Sequence, residues 1–116
     1  MSTTTEPILP ALGHLVVYRK SLAVAQAVLG LQVQGSLRDQ LHRAVESTTL
    51  NIAEGAGERS MAAKNRYYAI ARASLWEVAA ALDLLAVRRG RPSAVETIAT
   101  ELRQVDAILA ALLRRS

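Results

Sequence analysis

An amide and two acids fall within one ten-residue run, Asn51-Ile52-Ala53-Glu54-Gly55-Ala56-Gly57-Glu58-Arg59-Ser60. Ser74 and Glu77 follow one helical turn apart. Two carboxylates brought together could do acid/base work or hold a metal. The rest of the chain supplies little for either task. A di-iron bundle needs Glu-x-x-His pairs on facing helices, and the nearest form, Asp39-x-x-His42, occurs once, with His14 the only other histidine. Two histidines and no cysteine argue against a transition-metal site, and the lack of cysteine excludes disulfide and thiol chemistry; no metal site and no cofactor site is expected. Ser, His and Asp are present without a nucleophile elbow or strand-turn-helix setting. Gly55-Ala56-Gly57 ahead of a helix could present N–H groups to a phosphate, but no strand precedes it and no Lys-Ser/Thr follows, so a helix-ending turn is the simpler account. The chain is therefore expected not to be an enzyme.

The same residues make a plausible structural clasp. Glu54 would accept from backbone N–H groups at the start of the next helix, worth ~0.3–1 kcal/mol. Asn51 would bridge the corner. Ser74 would bond back to a carbonyl one turn earlier or reach Asn51. Asn51, Glu54, Gly55, Ser74 and Glu77 are thus expected to join two helices rather than to act on a substrate.

The elements that must carry them are read from apolar spacing. Residues 1–12, with Pro7, Pro10 and a Ser/Thr run, are expected to be a flexible arm, and residues 13–116 a single domain. A first helix runs from about Gly13 to Val28 or Leu29, with Leu15, Tyr18, Leu22, Ala25 and Leu29 on its core face. The glycine-bracketed stretch Gly30 to Gly35 reads as a loop. A second helix starts at Ser36, with Asp39 three residues on as a weak capping box, and buries Leu37, Leu41, Ala44, Val45, Thr48 and Ile52. Gly55 and Gly57 stop it. A third runs from Ser60 to about Arg89, roughly 45 Å, and buries Tyr67, Ile70, Ala71, Ser74, Val78, Ala81, Leu82 and Leu85. Gly90 ends it. Ser93 and Glu96 form a capping box for a fourth helix carrying Val95, Ile98, Leu102, Val105, Leu109 and Leu112. Four helices with short connections predict an all-α, antiparallel up-down-up-down bundle.

Composition agrees with a close-packed helical core: 51% of residues are hydrophobic, aromatics are scarce and Phe is absent. No apolar run approaches the ~20 residues of a membrane span, so no membrane partner is expected. Met1 to Glu6 lacks the basic and apolar regions of a secretory signal, and a reducing cytoplasm is the expected setting.

Two helices show a second apolar face. At about 100° per residue, Ala69, Ala73, Trp76, Ala80 and Val87 lie opposite Ser74 and Val78. The first helix carries Val17, Ser21, Val24 and Val28 beside its core stripe. A helix apolar on two sides is buried on two sides, so Val17, Val24, Val28, Ala69, Ala73, Trp76, Ala80 and Val87 are expected to contact other subunits, with Trp76 as the anchor. The alternative is that Trp76 folds over the edge of its own bundle.

The net charge is +4, and 12 of the 14 basic residues are Arg, the side chain best suited to phosphate. Arg88, Arg89 and Arg91 cluster at one helix corner, near Arg38 if neighbouring helices run antiparallel, and Arg114 and Arg115 lie at the C-terminus. These six are the candidate contacts to RNA or DNA. Arginines that merely solubilise a scaffold or adaptor for another protein are the competing reading.

Ser47 with Asn51-Ile52-Ala53-Glu54-Gly55, then Arg59-Ser60, Tyr67-Tyr68 and Ala71-Arg72-Ala73-Ser74-Leu75-Trp76-Glu77 resemble the four-helix bundle proteins encoded in intervening sequences of bacterial 23S rRNA genes. Val17-Tyr18-Arg19-Lys20 fits the opening of that family more loosely, and Ala73 stands where the family usually has Gly. The resemblance implies a left-handed bundle that assembles as a ring, commonly a homopentamer. The family is also similar to the small accessory proteins of diversity-generating retroelements, basic pentamers that bind nucleic acid and a reverse transcriptase. The resemblance brings no catalytic residue with it.

Overall fold

Pro10 supplies a preset φ and no N–H at a helix start, where neither is missed, and it opens the first of five helices in the computed structural model, which describes residues 6–115. These are α1 (Pro10–Gly13), α2 (Val16–Leu29), α3 (Gly35–Gly57), α4 (Met61–Arg89) and α5 (Ser93–Arg114), with no strand among the described residues. The short α1 packs on α2, so the expected arm is helical at Pro10–Gly13. Residues 1–5 of that arm, and Ser116 at the end of the expected domain, lie outside the described residues. α2 packs against α3 and α5, and α4 against α3 and α5, so the four long helices enclose one core. The molecule extends 44 Å along its longest axis, about the length of α4, whose 29 residues span roughly 43 Å.

The stripe expected for α3 is buried as read, as are Val95, Ile98, Leu102, Val105 and Leu109 of α5. Two other stripes are corrected. In α2 the faces are exchanged: Val17, Ser21, Val24 and Val28 are buried in the chain's own core, whereas Leu15, Tyr18, Leu22 and Ala25 are half-buried and Leu29 is exposed. α2 packs against both α3 and α5, and the Val17, Ser21, Val24 and Val28 face is the one turned to that shared core. Val17, Val24 and Val28 are therefore not available as a subunit interface. In α4, Tyr68 and Leu75 are buried where Tyr67 and Ile70 were expected; Tyr67 is half-buried and Ile70 is 43% exposed.

The caps also differ in part. Ser60 caps α4 as expected, its Oγ accepting from Ala63 N–H at 3.1 Å, and Gly90 ends that helix with φ +83°, a region open to glycine at little cost. Gln34, not Ser36, occupies the N-cap of α3, without a side-chain cap bond. Pro92 takes the N-cap of α5, which leaves Ser93 inside the helix. Glu96 pairs with Arg91 Nε at 2.5 Å.

Gly55 does not stop α3, which continues two residues further. Its role is close approach: a Cβ at Gly55 would lie 2.6 Å from Tyr68 Cε1 and 2.8 Å from Cδ1, while a Cβ at Gly57 would meet nothing within 4 Å. The atoms met belong to the Tyr68 ring, which packs between α3 and α4 and would have to shift as a rigid unit to admit a Cβ. Gly55→Ala should therefore lower stability by about 1–3 kcal/mol through overpacking in urea unfolding. Gly57→Ala should cost nothing, because Ala is the better helix former.

Candidate assembly and nucleic-acid surfaces

The residues expected to form the clasp separate into two groups. Ser47 Oγ and Ser74 Oγ lie 2.7 Å apart across α3 and α4. Asn51 Nδ2 donates to Ser47 O at 2.8 Å and to Ser47 Oγ at 3.2 Å. Gly55 joins by admitting Tyr68. Lys64 closes the α3 end, its Nζ donating to Gly55 O at 3.2 Å and Ala56 O at 3.1 Å. Glu54 and Glu77 are exposed and take no part in this network. Ser60 already serves the start of α4, so the helix has no need of a Glu54 carboxylate there. Ser47 and Lys64 were missed as clasp members, although Ser47 precedes Asn51 by four residues on one helix face, a readable signal. The two acids do not form a carboxylate pair, and among the described residues no three His, Asp or Glu gather as a metal site.

On the outer face of α4, Ala69, Ala73 and Ala80 are exposed, Trp76 is 59% exposed and Val87 83%. Leu84, 57% exposed, extends this strip and was missed by spacing alone. Trp76 is nevertheless fixed in place. Its indole N–H donates to Asp106 Oδ1 on α5 at 2.8 Å, Arg72 Nε donates to the same oxygen at 2.8 Å, and the Arg72 guanidinium sits 5.1 Å from the indole ring centroid. Trp76 thus leans over the edge of its own bundle and still offers much of its ring outward. The Arg72 hydrogen bond holds the Asp106 carboxyl below its ordinary 3.8 against the opposing effect of burial, and the Trp76 bond adds to it.

The six arginines lie at two ends. Arg88 and Arg89 border a groove of about 580 Å³ with the 30–34 loop, and no acid lines it. Both are exposed and make no ion pair among the described residues. Arg38, one turn into α3, and Arg91, just past α4, share this end, but Arg38 pairs with Asp39 at 3.6 Å and Arg91 with Glu96. Arg115 lies near Tyr68, twenty residues from Arg88 along α4, or roughly 30 Å. Arg114 and Arg115 therefore form no single patch with the others.

The 23S rRNA-intervening sequence protein family matches the chain over residues 13–111. The chain belongs to that family. Its fold is similar to the crystal structure of a protein of unknown function from the S23 ribosomal protein family of Bacteroides thetaiotaomicron, with a TM-score of 0.75 and 22% identity over 85% of this chain and 99% of that one. At that identity the likeness is one of fold. No curated protein matches the chain. Ser47, Asn51, Gly55 and Ser74, all within the stretch that resembles the intervening sequence protein family, form one α3–α4 contact in this chain.

Two outcomes check this account. Ser74→Ala and Asn51→Ala should each cost about 0.5–1.5 kcal/mol in urea unfolding, while Glu54→Ala and Glu77→Ala should stay within about 0.5 kcal/mol of the parent. Because the folded carboxyl of Asp106 titrates below its ordinary value, its contribution is present above the ordinary carboxylate range and is lost as pH falls through the folded pKa. Trp76 fluorescence should accordingly change with a midpoint below 3.8, and Asp106→Asn should abolish that step.

Proposed function

We propose that the chain is a non-enzymatic, antiparallel up-down-up-down four-helix bundle that self-assembles through the outer face of α4 and binds RNA or DNA as a cytoplasmic accessory protein. The observation that carries this reading is the uncovered strip of Ala69, Ala73, Trp76, Ala80, Leu84 and Val87. A large aromatic already held by Asp106 and Arg72 loses little freedom on docking, and small neighbours let another helix come close. The antiparallel arrangement is supported by the short links between consecutive long helices. A homopentameric ring is what the family resemblance implies. In any ring, the exposed Arg88 and Arg89 with Arg38 and Arg91 repeat once per subunit, which turns a modest monomer charge into an extended basic surface suited to phosphate contacts.

The second reading, an oligomeric scaffold or adaptor for another protein, is favoured by the pairing of Arg38, Arg72 and Arg91 with acids of the same chain. Light scattering together with a salt series distinguishes the two. The parent should run as an oligomer and Trp76→Glu as a folded monomer; an unchanged mass would refute assembly through α4. The parent should bind a short RNA or DNA duplex more weakly as salt rises, and Arg88→Glu with Arg89→Glu should reduce the slope of log K against log salt by about two. An absence of binding at low salt would leave the scaffold reading.

A further inference from the structure

A groove of about 960 Å³ lies between α1, the start of α2, the end of α3 and the end of α5. Its size falls within the range of small-molecule sites, ~300–1,000 Å³. Leu12, Leu15, Val16, Ile108 and Leu112 give it apolar walls. Tyr68 lines it as well and is 6% exposed, with its ring seated against Gly55. Its hydroxyl has no hydrogen-bond partner among the described residues. Asn65 Oδ1, not this hydroxyl, is the fully buried side-chain atom left unpaired among the described residues, so the Tyr68 O–H still opens onto the groove and is free to donate to a ligand there. Arg115, at the end of α5, lines the same groove and makes no ion pair among the described residues. Tyr68 on α4 and Arg115, just past α5, both line the groove, which gives it an O–H donor and a guanidinium; burial pushes the Tyr68 phenol up, and the Arg115 charge opposes that shift. Lys64, also on the groove, is already committed to the carbonyls of Gly55 and Ala56. Glu54 and Glu58 share the α3 end of the groove, which disfavours a doubly charged headgroup and leaves room for a single negative charge.

We propose that this groove binds an aliphatic carboxylate of medium chain length, its chain along the Leu12, Leu15, Ile108 and Leu112 walls and its carboxylate accepting from the Tyr68 hydroxyl and pairing with Arg115. The alkyl chain gains from burial along the apolar walls. The headgroup gains a charge-assisted hydrogen bond from the Tyr68 hydroxyl and an ion pair with Arg115.

Calorimetric titration with octanoate, decanoate and decan-1-ol tests this, with Tyr68→Phe and Arg115→Gln as variants. Tyr68→Phe keeps the ring against Gly55 and removes the hydroxyl alone; equal unfolding midpoints establish that both variants stay folded. Decanoate should bind saturably to the parent, more tightly than octanoate because of its longer chain, and about ten-fold more weakly to each variant. Decan-1-ol should bind the parent more weakly than decanoate and should lose nothing in Arg115→Gln. The proposal is overturned if decanoate shows no saturable binding to the parent, if both variants bind it as the parent does, or if the alcohol binds as well as the acid.

Discussion

The seating of the Tyr68 ring against Gly55 sets how closely α3 and α4 can meet, and much else depends on that separation. With a Cβ at residue 55, the Tyr68 ring would be met at 2.6 Å, so the ring or the helix pair would have to shift. At the spacing glycine permits, Ser47 and Ser74 come to 2.7 Å, Asn51 reaches Ser47, and Lys64 reaches back to the last carbonyls of α3. The α3–α4 pair then forms a fixed wall against which α2 and α5 pack. The glycine that reads as a helix stop is thus better understood as the thin point of an interface.

Each remaining helix boundary carries its own polar link. Thr49 Oγ1 donates to Ser21 Oγ between α3 and α2 at 3.3 Å, Lys20 bridges α2 to Gln104 and Glu101 of α5, and Arg72 and Trp76 meet Asp106 between α4 and α5. Aliphatic packing tolerates sliding and rotation, whereas a hydrogen bond between named atoms has one geometry. These links favour one register and one rotation for each helix in a core otherwise built almost wholly from Leu, Val, Ile and Ala.

α4 serves the molecule twice. Its inner face supplies Ala71, Leu75, Val78, Leu82 and Leu85 to the core, and its outer face leaves Trp76, Leu84 and Val87 uncovered. The charged groups are divided in a similar way. Arg38, Arg72 and Arg91 are paired with acids of the chain, whereas Arg88, Arg89 and Arg115 remain open to other molecules at two separate ends.

Apolar spacing by itself determined that the chain is helical and placed the long helices to within a few residues. It also gave Ser60 as a cap, Gly90 as a stop and the whole buried stripe of α3, because that helix has one apolar face and polar residues elsewhere. Within the motif from Ser47 to Glu77, which resembles the family, Ser47, Asn51, Gly55 and Ser74 serve one local contact. Tertiary structure decided what periodicity leaves degenerate. α2 has two apolar faces about 100° apart, and only its position between α3 and α5 selects Val17, Val24 and Val28 for the core. Tyr67 and Tyr68 differ by the same rotation, and only the space beside Gly55 selects Tyr68. The partners of long polar side chains were settled there too: Glu54 and Glu77 face solvent while Asp106, unremarkable in the sequence, holds Trp76. The helical repeat fixes spacing along one element, but which side faces inward depends on where the neighbouring helices lie.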